Sequence, residues 1–429
     1  MAEDRNIKIV NGRLLLEEAG GYVVRDADLY IKNGRISFQP FADGEPFETF
    51  NAKDRLVMPG LINMHTHVYM TLMRGYADDV DFGTWLFERV MPVEDSLPTP
   101  VAYWTSLLGC MEMIRTGTTC FVDMHMYHRQ SPAAARDAGM RARIGRGLVG
   151  EDLFGDGYSR FSEALEEKEA FASDTIGFVL SPHAIYTGSP KLLSQVAEKA
   201  KELDMLKQIH LSESVTEVNN CLAKYGKTPP RLLYDLGFLD EKTILAHCVH
   251  LQGDDLELIA KSGATIVTNP ASNAKLGNGF APVEQMLKAG VNVCIGTDGA
   301  ASNNTLNMFR EMGLLSLIHK GINSSSTVLP AKTVVRMATA NAGKALQKPG
   351  ELGVISEGAA ADLIFLDLRS PSLFPNNDPV SALCYSANGS EVDSVMIDGK
   401  WVMKGGQILT IDVERVYYEV AKAAEQYLK

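Results

Sequence analysis

His65 and His67 stand two residues apart at the end of the apolar run that begins at Met58. Residues i and i+2 of a β-strand point to the same face. Both imidazoles are therefore expected to leave the end of one strand in the same direction, as two ligands of one metal ion must. The pair alone is weak support for a site, because histidine is often only a half-buried packing residue. Its partners elsewhere in the chain decide between the two interpretations.

Other titratable side chains also follow apolar runs of strand length. His210, His247 and Asp298 each end or closely follow such a run, and Glu213 lies three residues beyond His210. Six of the nine histidines fall at the ends of apolar runs, namely His65, His67, His125, His183, His210 and His247. Random placement would not produce this concentration, which indicates one shared site.

Three imidazoles and one carboxylate, from His65, His67, His210 and Asp298, form a ligand set that suits Zn²⁺ or Fe²⁺. Such an ion can lower the pKa of a bound water from about 15.7 to about 7 and so supply hydroxide at neutral pH. A second metal would need a bridging ligand, often a modified lysine, on the fourth strand. That run ends in Ser181-Pro182-His183, which supplies none. We therefore predict one metal ion per chain.

Two further residues are predicted to act beside the metal. Glu213 leaves the same strand as His210 but is carried onward by the following turn. Its carboxyl group can then shuttle protons between water and substrate, as deaminases require. His247 is expected to stabilise developing charge by hydrogen bonding. His250 is the alternative from the same segment, but it falls past the strand end.

Eight apolar runs of strand length alternate with amphipathic segments between residues 58 and 355. A (β/α)8 TIM barrel requires this repetition, and the active sites of such barrels lie at the C-terminal ends of the strands. The runs are Leu61-Ile62, Cys120-Phe121-Val122, Ala142-Arg143-Ile144, 176–180, Gln208-Ile209, Ile244-Leu245-Ala246, Ile266-Val267 and 291–295. We predict a barrel over residues 58–355 in which the histidine-bearing strand ends meet.

Both ends of the chain have a different, β-rich texture. Asn11-Gly12, Asn33-Gly34 and Asp398-Gly399 stand between apolar runs, and such dipeptides are strong hairpin signals. We predict that residues 1–57 and 356–429 combine into one small β-sandwich domain that ends in a helix.

Composition disfavours several classes of protein. The 429 residues are 45% hydrophobic, and the net charge of −12 argues against nucleic acid and anionic membranes as partners. No apolar run approaches the ~18–20 residues of a membrane span, and residues 1–5 lack the features of a signal peptide. The six cysteines are dispersed and are expected to be reduced thiols. We therefore expect a cytoplasmic protein.

Four segments of the sequence carry a family resemblance. They are Pro59-Gly60-Leu61-Ile62-Asn63-Met64-His65-Thr66-His67, His210-Leu211-Ser212-Glu213, Ala246-His247-Cys248-Val249-His250 and Gly296-Thr297-Asp298-Gly299-Ala300-Ala301-Ser302-Asn303-Asn304. Together they resemble the amidohydrolase superfamily, and within it the cytosine deaminase-like branch. The resemblance is strongest to the 5-methylthioadenosine/S-adenosylhomocysteine deaminases and runs nearly end to end. The motifs are specific to the superfamily and do not by themselves fix the substrate.

The resemblance implies roles for individual residues. It implies one zinc ion, with iron as the alternative, held by His65, His67, His210 and Asp298. The groups that it implies for proton transfer are Glu213, His247 and Asp298. The substrate-binding residues that it implies are Trp85, Glu94, Arg146, Arg160, His183 and Glu213. Within that set, Glu94 matches a ribose-binding carboxylate, and Arg146, Arg160 and His183 match residues that line the nucleoside and its 5′ substituent. Alternatively, Arg146 forms a structural ion pair, Glu94 is a helix-end charge and Trp85 is a core residue.

The implied activity is metal-dependent hydrolytic deamination of an adenine nucleoside to the inosine analogue and ammonia. The candidate substrates are 5-methylthioadenosine, S-adenosylhomocysteine, 5′-deoxyadenosine and adenosine. The alternative is a deaminase or hydrolase of another amino-heterocycle, such as guanine, a pterin or a triazine, on the same fold. Glu213 argues against pure dechlorination, and the four intact ligands argue against an inactive barrel that serves as an assembly protein. By analogy with related barrels, we expect a homo-oligomer.

Overall fold

Two β-sheets dominate the computed structural model, which describes residues 6–18 and 21–428. Residues 1–5, to which the expectation of no signal peptide refers, lie outside the described residues. One sheet has eight parallel strands, and the other has nine strands drawn from both ends of the chain. This arrangement confirms the predicted fold class.

The strands are, in chain order, β1 (Asn6–Glu18), β2 (Gly21–Lys32), β3 (Arg35–Ser37), β4 (Phe47–Asn51), β5 (Arg55–Pro59), β6 (Leu61–Thr66), β7 (Thr118–His125), β8 (Arg141–Leu148), β9 (Ile176–Pro182), β10 (Leu206–Leu211), β11 (Thr243–His247), β12 (Thr265–Thr268), β13 (Asn292–Ile295), β14 (Leu363–Asp367), β15 (Val392–Ile397), β16 (Lys400–Lys404) and β17 (Gln407–Ile408). A 3-10 helix (Val68–Met73) and a π-helix (Thr84–Val90) precede the first α-helix.

The α-helices are α1 (Met91–Ser96), α2 (Thr99–Arg115), α3 (Gln130–Ala138), α4 (Tyr158–Phe171), α5 (Pro190–Glu202), α6 (Val215–Tyr225), α7 (Pro229–Asp235), α8 (Asp255–Ser262), α9 (Pro270–Lys275), α10 (Val283–Lys288), α11 (Ala300–Asn303), α12 (Met308–Ile322), α13 (Ala331–Met337), α14 (Ala340–Ala345), α15 (Pro379–Tyr385) and α16 (Val413–Tyr427).

The eight-stranded sheet is the predicted barrel, and its strands β6 to β13 are neighbours in sequence order. Each of the eight predicted apolar runs falls on one of these strands. The last strand meets the first through the Asp298 amide, which donates to the His65 carbonyl over 2.9 Å. The Thr297 amide donates to the Asn63 side chain over 3.0 Å. These two bonds bring the segment that carries Asp298 against the segment that carries His65 and His67.

A hydrophobic cluster fills the barrel towards the N-terminal ends of the strands. It takes Ile62 from β6, Cys120 from β7, Val179 from β9, Ile244 from β11 and Cys294 from β13. Residues from strands around the whole barrel can share one cluster only if their side chains point inward. The polar side chains at the C-terminal ends of the strands therefore follow an interior that is largely apolar.

The nine-stranded sheet joins the two ends of the chain, because β14 pairs with β5 in antiparallel register. β1 pairs with β2 along one edge, and its other edge pairs first with β4 and then with β5, both in parallel. The sheet consequently forks at β1. The predicted division at residues 57/58 and 355/356 stays a prediction; β5, which ends at Pro59, is the last strand of this sheet before the barrel.

Two of the three predicted hairpin turns are confirmed, and the third was wrong. Asn33-Gly34 joins β2 to β3, and Asp398-Gly399 joins β15 to β16. Asn11-Gly12 lies inside β1, where the register with β2 shifts between Ile9 and Gly12. Asn11 takes the left-handed conformation expected of an Asn-Gly turn (φ +60°), but the strand continues as a bulge.

The described residues contain no helix long and apolar enough to cross a membrane. All six cysteines are buried and unpaired, which agrees with the expectation of reduced thiols.

Candidate active site

A cavity of about 340 Å³ lies at the C-terminal ends of the barrel strands. Most of the residues singled out in the sequence line it: His67, Trp85, Glu94, Arg160, His183, His210, Glu213, His247 and Asp298. His65 lies directly beside them, fully buried, and its Nε2 atom is 3.6 Å from Oδ1 of Asp298. The predicted strand-end site is therefore one continuous pocket.

Five candidate metal donors converge at the floor of this cavity. One donor atom from each of His65, His210, His247 and Asp298 lies within 4.8 Å of the others. His67 joins them, because its Nε2 is 3.1 Å from Nε2 of His210 and 3.4 Å from Oδ1 of Asp298. The predicted ligand set is thus brought together, with His247 as a fifth neighbour.

The hydrogen bonds of the imidazoles favour a bound cation. Nδ1 of His67 lies 2.7 Å from the Met124 carbonyl, and Nδ1 of His210 lies 2.7 Å from the His183 carbonyl. Each Nδ1 must donate, so the two Nε2 atoms present lone pairs to each other across 3.1 Å. Both ring nitrogens of buried His65 lack a hydrogen-bond partner. Lone pairs and unpaired nitrogens at this spacing fit one metal ion.

The charge state of the donors also fits a metal. Burial lowers the pKa of His65 to about 4 and holds the pKa of His210 well below its ordinary value. Burial alone would raise the pKa of Asp298, but His65, His247 and His67 hold it well below its usual range. Neutral imidazoles and an ionised carboxylate are the forms that bind metal.

Asp298 is oriented by two serines behind it. Oδ2 accepts hydrogen bonds from Ser272 (2.7 Å) and Ser302 (2.8 Å), while Oδ1 faces His65 and His67. The two carboxylate oxygens therefore have separate partners. Neither serine was singled out as a site residue in the sequence, although Ser302 lies four residues beyond Asp298 within one of the family motifs.

Several residues at the strand ends that carry the site adopt the left-handed backbone conformation. Ser212 has φ +50°, His247 +73°, Cys248 +48° and Asp298 +62°. Such conformations cost non-glycine residues on the order of 1–3 kcal/mol each and persist only where the surroundings enforce them. Their occurrence after three barrel strands shows that the fold turns these segments abruptly into the cavity.

Glu213 is only 6% exposed and faces this floor. Oε1 accepts a hydrogen bond from Asn278 (3.0 Å), and Oε2 lies 3.8 Å from Nε2 of His247. Burial, with a smaller contribution from the charge of Asp298, raises the pKa of Glu213 to about 8. A carboxyl group that titrates near neutral pH suits proton transfer in both directions.

His247, rather than His250, reaches the cavity. Nδ1 of His247 lies 2.8 Å from Oδ1 of Asn273, and this contact leaves Nε2 directed towards Glu213. His250 lies outside the lining, and its amide bonds the Ser212 carbonyl over 2.9 Å.

The cavity is also lined by Trp85, Glu94, Arg160 and His183, and the His183 ring packs against that of His210 with ring centroids 4.8 Å apart. The indole of Trp85 donates to the Ala301 carbonyl over 3.2 Å. Arg160 donates to the Gly147 carbonyl over 3.2 Å, and His183 is bonded through Nδ1 to Thr187 over 2.9 Å. Fixed side chains of mixed polarity are typical of a small-molecule site.

Glu94 is held by two tyrosines that the sequence did not reveal. The hydroxyl of Tyr69 donates to its carboxylate, and the hydroxyl of Tyr127 donates to its carbonyl over 2.7 Å. Burial raises the pKa of Glu94. Tyr69 follows His67 by two residues, so its position next to a metal-binding motif was the available signal.

Arg146 is not among the lining residues. Its Nε donates to Glu163 over 2.9 Å, and Nη1 donates to the His125 carbonyl over 3.4 Å. This is the ion pair that stood as the alternative, and contact between Arg146 and a substrate stays a prediction. His125 likewise points away and pairs with Glu167 over 3.1 Å.

Comparisons with known proteins agree with this geometry. The model of the amidohydrolase family matches residues 56–402. The chain is 41% identical to a 5-methylthioadenosine/S-adenosylhomocysteine deaminase of Caldanaerobacter subterraneus subsp. tengcongensis, with 99% of each chain covered. It is 45% identical to the protein of the same name from Thermococcus sibiricus, over 93% of this chain and 94% of the relative.

Among solved structures, an adenosine deaminase from Xanthomonas campestris with bound zinc superposes with a TM-score of 0.92 at 31% identity, covering 99% of this chain and 98% of the other. A guanine deaminase from C. acetobutylicum superposes with a TM-score of 0.80 at 20% identity, over 92% and 99% of the two chains, and so shares the fold. The resemblance expected from the motifs is confirmed. With the family match, the near full-length relatives and the strand-end donors in agreement, this chain belongs to the amidohydrolase family.

Proposed function

We propose that this protein is a metal-dependent aminohydrolase that deaminates adenine nucleosides to the inosine analogue and ammonia. The observation that carries the proposal is one cavity lined both by buried Glu213, beside the metal donors, and by half-buried Glu94, which Tyr69 holds by a hydrogen bond. The first arrangement suits proton transfer at an amino-heterocycle, and the second suits recognition of a sugar. The relatives named 5-methylthioadenosine/S-adenosylhomocysteine deaminase support the same substrate class.

We assign His65, His67, His210 and Asp298 as the residues that would hold one metal ion, zinc in preference to iron. His247 is left out of this set because its Nε2 faces Glu213 at 3.8 Å. When bound, such an ion supplies a water of lowered pKa. Elemental analysis of the purified protein should find about one transition metal per chain, because the candidate donor atoms of His65, His210, His247 and Asp298 form a single cluster within 4.8 Å of one another. Two tightly bound metals per active chain would contradict this prediction.

The residues of the chain account for the proton movements. Protonated Glu213 donates its proton to N1 of the adenine ring as water adds to C6, and Asp298 accepts one proton of that water. The new C6 hydroxyl then gives its proton to Glu213, which passes it to the amine as the C6–N bond breaks, the carbonyl forms and ammonia leaves. The proton on Asp298 finally returns to Glu213, so that both carboxyl groups regain their starting states. The Nε2 atom of His247 lies 3.8 Å from Glu213, and an N–H on this atom would stabilise the charge that develops on the new oxygen.

Other lining residues are assigned to the rest of the nucleoside. Glu94 can accept hydrogen bonds from the two ribose hydroxyls, and its own hydrogen bonds to Tyr69 and Tyr127 fix its orientation. Arg160 is the lining cation suited to the carboxylate of S-adenosylhomocysteine. His183 and Trp85 are further lining residues that we assign to contact with the nucleoside.

A panel of substrates tests this assignment. Ammonia release should be faster with 5-methylthioadenosine, S-adenosylhomocysteine, 5′-deoxyadenosine or adenosine than with free adenine, guanine or cytosine, because a free base has no ribose hydroxyls to donate to Glu94. Faster turnover of guanine, a pterin or a triazine would favour the alternative within the same fold. No release from any compound would favour the assembly protein.

Arg160→Met should affect S-adenosylhomocysteine more than 5′-deoxyadenosine, because only the first carries a carboxylate. Hydrogen bonds to charged groups are worth about 1.5–3 kcal/mol, so we expect kcat/KM for S-adenosylhomocysteine to fall roughly 10-fold to 100-fold. Arg129→Met is the matched control and should affect neither nucleoside, since Arg129 pairs with Glu166 over 2.7 Å outside the lining. Equal losses with both nucleosides would contradict the role of Arg160.

We further propose that the protein acts in the cytoplasm on small molecules, without nucleic acid or membrane partners, and that it forms a homo-oligomer. The net charge of −12 supports the first part. Sedimentation analysis of the purified chain tests the second.

A further inference from the structure

Glu217 is a buried carboxylate that the proposed chemistry does not use. It lies in the first turn of α6 and is 4% exposed. Oε1 accepts the backbone N–H of Ser212 over 3.0 Å, and Oε2 accepts the backbone N–H of Glu213 over 2.8 Å. Each carboxylate oxygen thus holds one amide of the segment that follows the metal-binding strand β10.

The sequence around Glu217 has the pattern of a capping box, but the structure uses it differently. Ser214 caps α6 by accepting the Glu217 amide over 3.2 Å. In a capping box, the glutamate three residues later returns to the amide of the capping residue itself. Here the carboxylate reaches past Ser214 to the two preceding amides. The side chain therefore fixes the loop in front of the helix rather than the helix end.

That loop contains the left-handed residue Ser212, with φ +50°. The backbone N–H of Ser212 donates to Glu217. The backbone carbonyl of Ser212 accepts the amides of Val249 (3.0 Å) and His250 (2.9 Å). The turn is consequently fixed on both sides of the same residue. An extended conformation at Ser212 would carry Glu213 away from the cavity, because a change in one φ angle redirects the backbone that follows it.

We propose that Glu217 is a positioning residue for Glu213: its carboxylate holds the Ser212 turn that directs the Glu213 side chain to the metal donors and His247. This inference rests on the proposed function, in which Glu213 transfers protons. It predicts that Glu217 contributes to turnover only through Glu213. If Glu217 were needed only for stability, the effect of its substitution on turnover would not depend on Glu213.

Glu217→Gln tests the proposal with minimal change of shape. The amide keeps one acceptor oxygen but places an N–H donor against one of the two backbone amides. A misplacement of about 1 Å can cost ~10²-fold, so we expect kcat to fall roughly 10-fold to 100-fold. KM should change less than kcat, and metal content should stay near its wild-type value, because the other lining residues and the metal donors keep their places. Hydrogen exchange of the Ser212 and Glu213 amides should accelerate. If this variant does not fold, the same measurements are made on Glu217→Asp.

A double-mutant cycle with Glu213→Gln separates positioning from general stability. In the Glu213→Gln background, Glu217→Gln should change kcat by less than about 2-fold. A change of this size lies within the deviation that independent sites usually show. Losses that multiply in the double variant would overturn the proposal, as would normal kcat in Glu217→Gln. The matched control is Glu391→Gln, because Glu391 is buried in the loop before β15 and accepts the amides of Asn388 (3.1 Å) and Gly389 (3.0 Å). That control should lose stability and keep kcat.

The outcomes also distinguish the two proposals. A wild-type protein that releases no ammonia from nucleosides would overturn the proposed function, and the role of Glu217 with it. Ammonia release by the wild type, together with multiplicative losses in the cycle, would overturn the role of Glu217 alone.

Discussion

Glu213→Gln is expected to lower kcat for nucleoside deamination by ~10²–10⁴-fold, the usual contribution of a general acid–base group. The glutamine side chain has the same shape and can stay in contact with Asn278, which lies 3.0 Å from Oε1. It cannot take up or release a proton at neutral pH. Because Glu213 is not one of the four proposed metal ligands, the variant should keep its metal.

Turnover and metal content are measured on the same preparation, by ammonia release and elemental analysis. Glu167→Gln is a suitable control, since Glu167 is also a buried glutamate but pairs with His125 (3.1 Å) outside the cavity lining. Near-normal turnover of Glu213→Gln would remove Glu213 from the mechanism.

His65→Ala should lose metal and activity together. Changes to residues that only support a metal ligand typically cost 10–100-fold in metal affinity or activity, so loss of a direct ligand should exceed ~10²-fold. His65 is fully buried and its ring nitrogens have no other partner, so the alanine variant removes one of the four proposed ligands. Metal content gives a readout that does not depend on turnover.

His128→Ala is the control for this variant. His128 lies outside the cavity lining, and its Nε2 is 3.3 Å from Glu166. It should retain both metal and turnover. A His65→Ala protein with a full complement of metal would contradict the assignment of His65, and a metal-free but fully active protein would contradict the need for the ion.

The barrel could be predicted from local pattern. Strands of a parallel barrel are buried on both faces and read as short continuous apolar runs, which is why all eight strands can be recognised in the sequence. Parallel strands also all end at the same face of the barrel. Polar residues that follow different runs must therefore come close together, however far apart they lie in sequence. This is the reason that His65, His210 and Asp298 could be grouped from the sequence.

The nine-stranded sheet contains a feature that the local sequence pattern could not predict. Asn33-Gly34 and Asn11-Gly12 are the same dipeptide in similar surroundings, yet the first closes a hairpin and the second lies in a bulge of β1. The difference comes from partners distant in sequence. A Cβ on Gly12 would lie 2.9 Å from Val57 of β5, so the neighbouring strand approaches β1 closely at this point. The dipeptide specifies a left-handed residue, and the surrounding strands decide whether the chain turns.

The sequence by itself therefore determined the barrel, the face on which the site lies and the residue types available there. Only the tertiary structure decided where each side chain points. Arg160 lines the cavity, whereas Arg146 pairs with Glu163. The Glu217 side chain extends beyond the N-cap of its own helix and accepts hydrogen bonds from the amides of Ser212 and Glu213. Strand order follows from local periodicity. The direction of a long side chain instead depends on the partner that it contacts across the fold, and packing between elements distant in sequence determines that partner.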